Sequence, residues 1–349
     1  MPEISVVIPS YNHAAYIAEA VNSVLNQSLS DLELIVIDDG STDTSLDVLA
    51  NFSDPRLRII TQSNQGAHAA INHGLHAASG EFLAILNSDD AYHSRRLEKI
   101  IGALKANSKL GLVGSYIQIV DGQGKALGVK HGYLDCSPWP LDFVERSFRA
   151  GNNLRAALLT ENYLATTSNY VFSRACYERV GEFRPLRYTH DWDFALRMAR
   201  IAQIELLTEP LVQYRIHPTN TIRENRAAMI FEICWILAMH LPNYIQDQEF
   251  FEGQLLADHI DQLLHSIYVY GAERVLSIML LQNLHQNAQQ AMQLLEPSNS
   301  TRTRYIEFIL DCITARSGAE GAPQDLHPST LTLWKIRIGN ALSRLRANA

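Results

Sequence analysis

Residues 4–40 read ISVVIPSYNHAAYIAEAVNSVLNQSLSDLELIVIDDG. Two short runs, 4–9 and 32–37, are almost wholly apolar and rich in β-branched residues. Such runs suit parallel strands buried on both faces. Between them Ile17, Ala20, Val21, Val24 and Leu25 recur at helical spacing within 13–27. Strand, helix, strand with a short connection on either side is the unit of a parallel sheet covered by helices.

The pattern continues outward from this unit. Residues 41–52 read as a helix opened by a Ser/Thr/Asp cluster that can cap it, 56–61 as a third strand and 67–78 as a third helix. A fourth strand, 82–86, stops at Asn87-Ser88-Asp89-Asp90. In an α/β sheet, ligands bind beyond the carboxyl ends of the strands. Three of these ends carry polar clusters: Pro9-Ser10-Tyr11-Asn12, Asp38-Asp39-Gly40-Ser41 and Asn87-Ser88-Asp89-Asp90. No GxGxxG follows the first strand, and no P-loop, GxSxG or HExxH motif occurs.

From residue 223 the character changes. Helical periodicity dominates 226–241, 250–270, 272–295 and 303–316, punctuated by Pro242, Pro297 and the Gly/Pro-rich stretch 317–329. The segment 329–346 places Leu331, Trp334, Ile338, Leu342 and Leu345 along one face, with Lys335, Arg337, Arg344 and Arg346 for charge. A basic amphipathic helix of this kind suits an anionic membrane surface, or packing on its own domain or on a second subunit. The expected organisation is therefore an α/β domain over 1–222 and a helical region over 223–349.

Composition bounds the function. The 349 residues are 47% hydrophobic and 19% charged, which excludes a disordered chain, a collagen or a small disulfide scaffold. Lys and Arg number 29 against 37 Asp and Glu, a net charge of −8, so no nucleic-acid partner is expected. Cys136, Cys176, Cys234 and Cys312 form no CxxC pair and read as reduced thiols. The N-terminus lacks the basic and apolar regions of a signal peptide, and no run of 18 apolar residues occurs. A cytoplasmic protein, peripheral on the inner face of the cell membrane where 329–346 makes contact, is the expectation.

Several motifs in fixed order carry a family resemblance: SVVIPSYNHAAYIAEAVNSVLNQS (5–28), LELIVIDDGSTD (32–43), NQGAHAAINHG (64–74), GEFLAILNSDD (80–90), VGEFRP (180–185), HDWDFALRMA (190–199) and QYRIHP (213–218). Together they resemble the family 2 glycosyltransferases, inverting enzymes with the nucleotide-sugar-binding fold known as GT-A. The resemblance covers about 5–220, and nothing in 223–349 adds to it. It implies a mainly parallel central sheet, a nucleotide-sugar donor, most often a UDP-sugar, and a glycan or glycolipid acceptor in bacterial surface polysaccharide or lipopolysaccharide synthesis.

The chemistry can be argued beside the resemblance. Breaking a glycosidic bond to a diphosphate calls for positive charge on the leaving group, which a divalent metal supplies. Mg²⁺ and Mn²⁺ take oxygen ligands, so Asp89 and Asp90 are the expected anchor. In similar enzymes one acid of the pair holds metal and its neighbour the nucleoside; we favour Asp90 for the metal and Asp89 for ribose or metal. Many relatives have Asp where this chain has Asn87, which keeps an acceptor oxygen and loses the charge. The resemblance gives Asp39 the nucleobase, flanked by Pro9, Ser10 and Tyr11, with Tyr11 as a stacking candidate. Gln65 and Gly66 open a helix whose N-terminus can face the nucleotide. The bland alternative for Asp89-Asp90 is a helix N-cap, and for Asp38-Asp39 a turn.

Inversion by direct displacement needs a base for the acceptor hydroxyl. Similar enzymes often carry Glu-Asp where this chain has His190-Asp191, and the Asp is their base, so Asp191 is the candidate here. Trp192 is a sugar-stacking wall or a core residue. Arg215 is a diphosphate candidate and His217 a metal candidate. Tyr133, Trp139 and Tyr163, in the irregular stretch 121–165, can stack on an acceptor sugar. Two competing classes stand beside the enzyme: a silent nucleotide-sugar-binding or assembly protein, oligomeric through 223–349, and a nucleotidyltransferase. The last wants a basic phosphate loop after the first strand, and 9–15 contains no Lys or Arg.

Overall fold

The computed structural model describes residues 1–131, 154, 158–159, 162–218, 220–221, 224–246 and 272–317. Its first half alternates β1 (Ile4–Ser10), α1 (Ile17–Leu25), β2 (Leu32–Asp38), α2 (Ser45–Leu49), β3 (Leu57–Thr61), α3 (Ala67–Ala77) and β4 (Phe82–Ile85). Then come β5 (Ala91–Tyr92), α4 (Arg96–Ala106), β6 (Leu110–Val120), β7 (Ala126–Lys130), a 3-10 turn (Thr167–Asn169), β8 (Val171–Ser173), α5 (Arg174–Val180), α6 (His190–Ala199) and β9 (Gln203–Arg215). Among the described residues the strands form one sheet in the order β3-β2-β1-β4-β8-β6-β9-β5, with β7 paired to β6.

The strands legible from apolar runs make the parallel half of the sheet. β1 lies between β2 and β4, and β3 joins β2, all in parallel. Every residue of β1 is buried, as a central strand covered on both faces requires. Gly74 on α3 shows how closely the cover sits: a Cβ there would lie 2.3 Å from Val7 Cγ1 on β1. Ser10 and Asp38 are register partners, so β1 and β2 end level and their polar extensions emerge side by side.

The second half of the sheet is mixed. β8 is antiparallel to both β4 and β6, while β9 runs parallel to β6 and returns the chain to the same edge. β9 is long enough to pair also with the two-residue β5, directly after the Asp89-Asp90 loop. This brings Arg215 and His217 to the loop that ends β4.

Some elements depart from the sequence expectation. α2 spans Ser45–Leu49 rather than 41–52. Residues 41–45 instead bind the 12–14 loop: Asn12 Oδ1 accepts from Thr42 N–H at 2.7 Å and Asp43 Oδ2 accepts from Ala14 N–H at 3.0 Å. The expected helix 272–295 breaks at Asn283, whose φ of 50° is left-handed.

Two compact units divide the chain at Glu232/Ile233, inside α7 (Arg226–Gln246). α7 carries Pro242 in its interior and continues past it. Residues 226–244 are long and apolar enough to cross a membrane (mean hydropathy 1.2), but 89% of the segment is buried within the protein, as in a core helix. The second unit continues with α8 (Glu273–Leu281), α9 (Ala288–Gln293) and α10 (Ser300–Ser317). Trp235 anchors it: the ring is fully buried and the indole N–H donates to Ala291 O at 2.9 Å. Cys176 and Cys234 are free thiols. The expected helix 250–270, the basic segment 329–346, Tyr133, Cys136 and Trp139 lie outside the described residues.

Candidate active site

Three chain segments meet beyond the ends of β1, β4 and β9. His13, Asp89 and His217 each offer one ligand atom, and these atoms all lie within 4.8 Å of one another. Asp89 Oδ2 stands 3.0 Å from His217 Nε2. Burial pushes the Asp89 carboxyl up, but the His217 hydrogen bond and the two imidazoles outweigh it and hold it below the usual range. The His217 ring stacks on Tyr16, with centroids 5.2 Å apart, and its backbone N–H donates to Asn220 Oδ1 at 2.7 Å.

Asp90 does not join this group, contrary to our preference for it as metal anchor. Its Oδ1 accepts from Arg215 N–H at 3.0 Å and its Oδ2 from Ser168 Oγ at 2.5 Å. Burial and then the Asp89 charge push its carboxyl well above the usual range. Asp89 and Asp90 lie in a turn closed by the Asp90 N–H to Asn87 O hydrogen bond, and in it only Asp89 faces the imidazoles. Asn87 is likewise committed. Its amide donates to Thr166 Oγ1 at 3.0 Å and accepts from Thr167 Oγ1 at 2.8 Å. The 3-10 turn thus grips the loop on both sides of Asp89.

Arg215, the diphosphate candidate, lies against the same loop. Its side chain is 3% exposed and spends its donors on Asp89 O, Asp121 O and Glu19 Oε2 (2.9, 3.2 and 2.6 Å), lying over the Tyr16 ring. A guanidinium so committed braces the loop.

At the ends of β1 and β2 a second polar group forms. Asp39 accepts from Gln65 N–H and Gly66 N–H, each at 2.8 Å, and from Gln62 Nε2 at 2.8 Å. Gly66 has a φ of 91°, which favours glycine, and it sets these two amides toward one carboxylate. Ser10 Oγ and Asp38 Oδ1 are buried and have no hydrogen-bond partner. A buried polar atom left unpaired costs about 1–3 kcal/mol, so two of them at level strand ends mark a place for a polar ligand. Pro9 is buried within β1, and Tyr11 beyond it is 44% exposed, its ring open to stacking.

The third part is the first turn of α6. Asp191 is 7% exposed; its Oδ1 accepts from Trp192 N–H at 2.7 Å and its Oδ2 from Asn162 Nδ2 at 3.0 Å. Burial dominates these bonds and raises its carboxyl to about 6. His190 beside it is pushed down to about 4 by burial, with Nδ1 3.2 Å from Leu186 O, so it is neutral near pH 7. Trp192 takes the core alternative: it is buried, and its indole N–H donates to Leu158 O at 2.7 Å. Asp193 is fully buried and paired with Arg184 and Arg197. Tyr163 is fully buried, so it stacks on no acceptor; its hydroxyl donates to Leu154 O at 3.1 Å.

Glu232 of α7 caps this turn from outside. Its carboxylate accepts from the backbone N–H groups of Arg187, Tyr188 and Thr189 and from the Thr189 hydroxyl, at 2.8 to 3.1 Å. Those donors belong to the loop that leads into α6 and to its N-cap residue Thr189, so Glu232 fixes the approach to the helix rather than its first-turn amides.

The sequence reading missed His13, Asn162 and Glu232. His13 carried a signal, since it lies three residues beyond β1 at an end where ligand residues gather. Asn162 and Glu232 carried none, because only the fold brings them to α6.

Comparison with known proteins bears on the family and the fold. The family model for glycosyl transferase family 2 matches residues 5–179. An uncharacterised glycosyltransferase of Nostoc sp. is 31% identical over 223 residues, 62% of this chain and 66% of that protein, so the match spans just under two thirds of the relative's length. Chondroitin synthase of Escherichia coli is 27% identical over 63% of this chain and 30% of its own length. Among solved structures, a Pyrobaculum calidifontis mannosyltransferase in complex with GDP-Man and Mn²⁺ superposes with a TM-score of 0.52 at 18% identity, covering 92% of this chain and 88% of its own. S. aureus TarS 1-349 in complex with UDP-GlcNAc gives a TM-score of 0.53 at 16% identity, covering 93% and 95%. At these identities the likeness is one of fold. The α/β sheet, its strand-end site and the family match over half the chain agree: the chain belongs to glycosyl transferase family 2, with the GT-A fold.

Proposed function

We propose that this protein transfers a sugar from a nucleotide-sugar donor, most simply a UDP-sugar, to an acceptor hydroxyl with inversion at the anomeric carbon. The observation that carries the reading is Asp191: a buried carboxylate, fixed by Trp192 N–H and Asn162, with its proton affinity raised to about 6. A base of that strength is ionised near pH 7 yet far better at taking a proton than an ordinary carboxylate.

In this reading the acceptor hydroxyl gives its proton to Asp191 as its oxygen bonds to the anomeric carbon. The bond from that carbon to the diphosphate oxygen breaks in the same displacement, and the nucleoside diphosphate leaves with the electron pair. Asp39, with its carboxylate held by Gln62, Gln65 and Gly66, orients the nucleobase. Ser10 Oγ and Asp38 Oδ1, buried and unpaired in the protein, lie at the same strand ends as Asp39. Asp89 and His217 would hold a divalent cation, whose chemistry there is to neutralise the leaving diphosphate. The fit is favourable: a carboxylate oxygen and an imidazole nitrogen, both ligand types for a divalent cation, lie 3.0 Å from each other.

The catalytic domain is assigned to 1–222 and an accessory helical role to 223–349. Surface-polysaccharide or lipopolysaccharide synthesis is the setting suggested by relatives such as the chondroitin synthase. The test is a transfer assay with UDP-sugars and an acceptor panel, paired with UDP binding. Asp191→Asn is expected to lose transfer by about 10²- to 10⁴-fold and keep UDP affinity. No turnover with any donor, alongside intact UDP binding, would instead support the silent binding protein.

A further inference from the structure

We infer that His13 is a third ligand of the cation site and makes it selective for a first-row transition cation over Mg²⁺. The inference rests on reading Asp89 and His217 as a cation site. It adds a residue to that site and a consequence for which metal is taken.

Three observations support it. First, the ligand atom of His13 lies within 4.8 Å of those of Asp89 and His217, the compass of a single ion's coordination sphere. Second, the ring is oriented from behind. His13 Nδ1 is 2.7 Å from Ser88 Oγ, so the side chain of the residue before Asp89 fixes one imidazole nitrogen and leaves the other for a ligand. Metal-binding histidines are held in this manner, through the nitrogen that does not bind the metal.

Third, the backbone carrying His13 is anchored on three consecutive residues by the loop after β2. Asn12 N–H donates to Ser41 Oγ at 3.0 Å, His13 N–H to Ser45 Oγ at 3.1 Å and Ala14 N–H to Asp43 Oδ2 at 3.0 Å. Asn12 itself is held at a φ of 54°, and its side chain accepts from Thr42 and Asp43. A merely solvated histidine needs no such fixing; a ligand does, because misplacement by an ångström weakens a site. His13 also meets the His217 ring edge-on, with centroids 5.9 Å apart.

The consequence follows from ligand chemistry. Mg²⁺ demands hard oxygen ligands in octahedral geometry, and two imidazoles among three protein ligands serve it poorly. Imidazole nitrogen suits the later first-row ions, and two imidazoles with a carboxylate suit Fe²⁺ best; Mn²⁺, the weakest binder of that series and tolerant of oxygen ligands as well, is the most stringent probe of the preference over Mg²⁺.

The test uses the metal-free full-length chain and Mn²⁺, followed by electron paramagnetic resonance with and without UDP. Pulsed spectra count the nitrogens bound to the ion, and Mg²⁺ competition reads selectivity. The wild type is expected to show two imidazole nitrogens and to keep Mn²⁺ against a hundredfold excess of Mg²⁺. His13→Gln should show one nitrogen and bind Mn²⁺ at least about tenfold more weakly, on the scale seen when ligand support is lost. His13→Glu should restore affinity while shifting preference toward Mg²⁺; it also serves as the check that the loop still folds. One nitrogen in the wild type, with affinity unchanged in His13→Gln, would overturn the role of His13 and leave Asp89 and His217 as the site. No bound Mn²⁺ in the wild type, with or without UDP, would overturn the cation site itself.

Discussion

Replacing Asp191 by Asn should stabilise the protein while disabling it, and the stabilisation should depend on pH in a calculable way. In the fold the Asp191 carboxyl sits at about 6, against 3.8 for an ordinary aspartate, chiefly because burial disfavours the ionised form. The side chain is only 7% exposed, so solvent does little to relieve this. That rise corresponds to about 3 kcal/mol. The sign follows from linkage. Below 3.8 the group is protonated folded and unfolded, and contributes nothing. As pH rises through 3.8 toward 6, the unfolded chain ionises first and the folded state loses stability. The loss is about half complete at pH 5 and nearly all of the 3 kcal/mol by pH 8.

Asn at this position cannot ionise. The variant should therefore gain on the wild type by about 1.5 kcal/mol between pH 5 and pH 8. Any penalty from a poorer match to Asn162, on the order of 1 kcal/mol, is independent of pH and cancels from that slope. Urea midpoints of both proteins at several pH values across this range give the difference directly. A difference flat to within about 0.5 kcal/mol, or one falling with pH, would refute a buried carboxyl of raised affinity at this site. A flat difference with lost activity would mean that Asp191 serves by some means other than proton uptake.

Other outcomes follow from the same geometry. The rate of transfer should rise with pH through about 6 as Asp191 ionises. Asn162→Ala, which removes a hydrogen bond to the ionised form, should move that limb to higher pH in a pH–rate profile. Glu232→Ala leaves the Arg187, Tyr188 and Thr189 N–H groups without their acceptor and should cost more than about 3 kcal/mol in urea unfolding. Gly74→Ala forces a methyl to 2.3 Å from Val7 Cγ1 and should cost about 1–3 kcal/mol despite the better helix propensity of Ala, read as a lowered melting temperature.

The parallel half of the sheet was legible because buried parallel strands leave near-continuous apolar runs, and 4–9, 32–37 and 82–86 are such runs. The mixed half was harder. β8 is three residues long and reaches the sheet by pairing with β4 and β6, which are distant in sequence. Helix boundaries slipped where side chains compete for backbone donors. The cluster Ser41-Thr42-Asp43 suggested a helix cap, but its groups bind the 12–14 loop and delay α2 to Ser45. Trp192 and Arg215 went differently from the ligand roles considered for them because both are spent on backbone carbonyls that only the fold brings near.

Asn87 and His190 are where this chain departs from common family residues, and both looked like weakened function. The structure gives each a different account. A carboxylate at 87 would add negative charge beside Asp89 and Asp90, whose carboxyls already sit below and well above the usual range. The amide instead donates to Thr166 and accepts from Thr167, so it holds the loop without adding charge. At 190 a Glu would place a second carboxylate next to Asp191 in a buried turn. A like charge there would raise the affinity of Asp191 further and leave less of it ionised near pH 7. His190, pushed down to about 4 and so neutral, avoids that repulsion. On this argument both departures lighten the negative charge around the two acids that matter most, and Asn87→Asp should raise the proton affinity of Asp90 without moving the pH–rate limb set by Asp191. A mutant in which that limb moved would show that the two ends of the site are electrostatically joined.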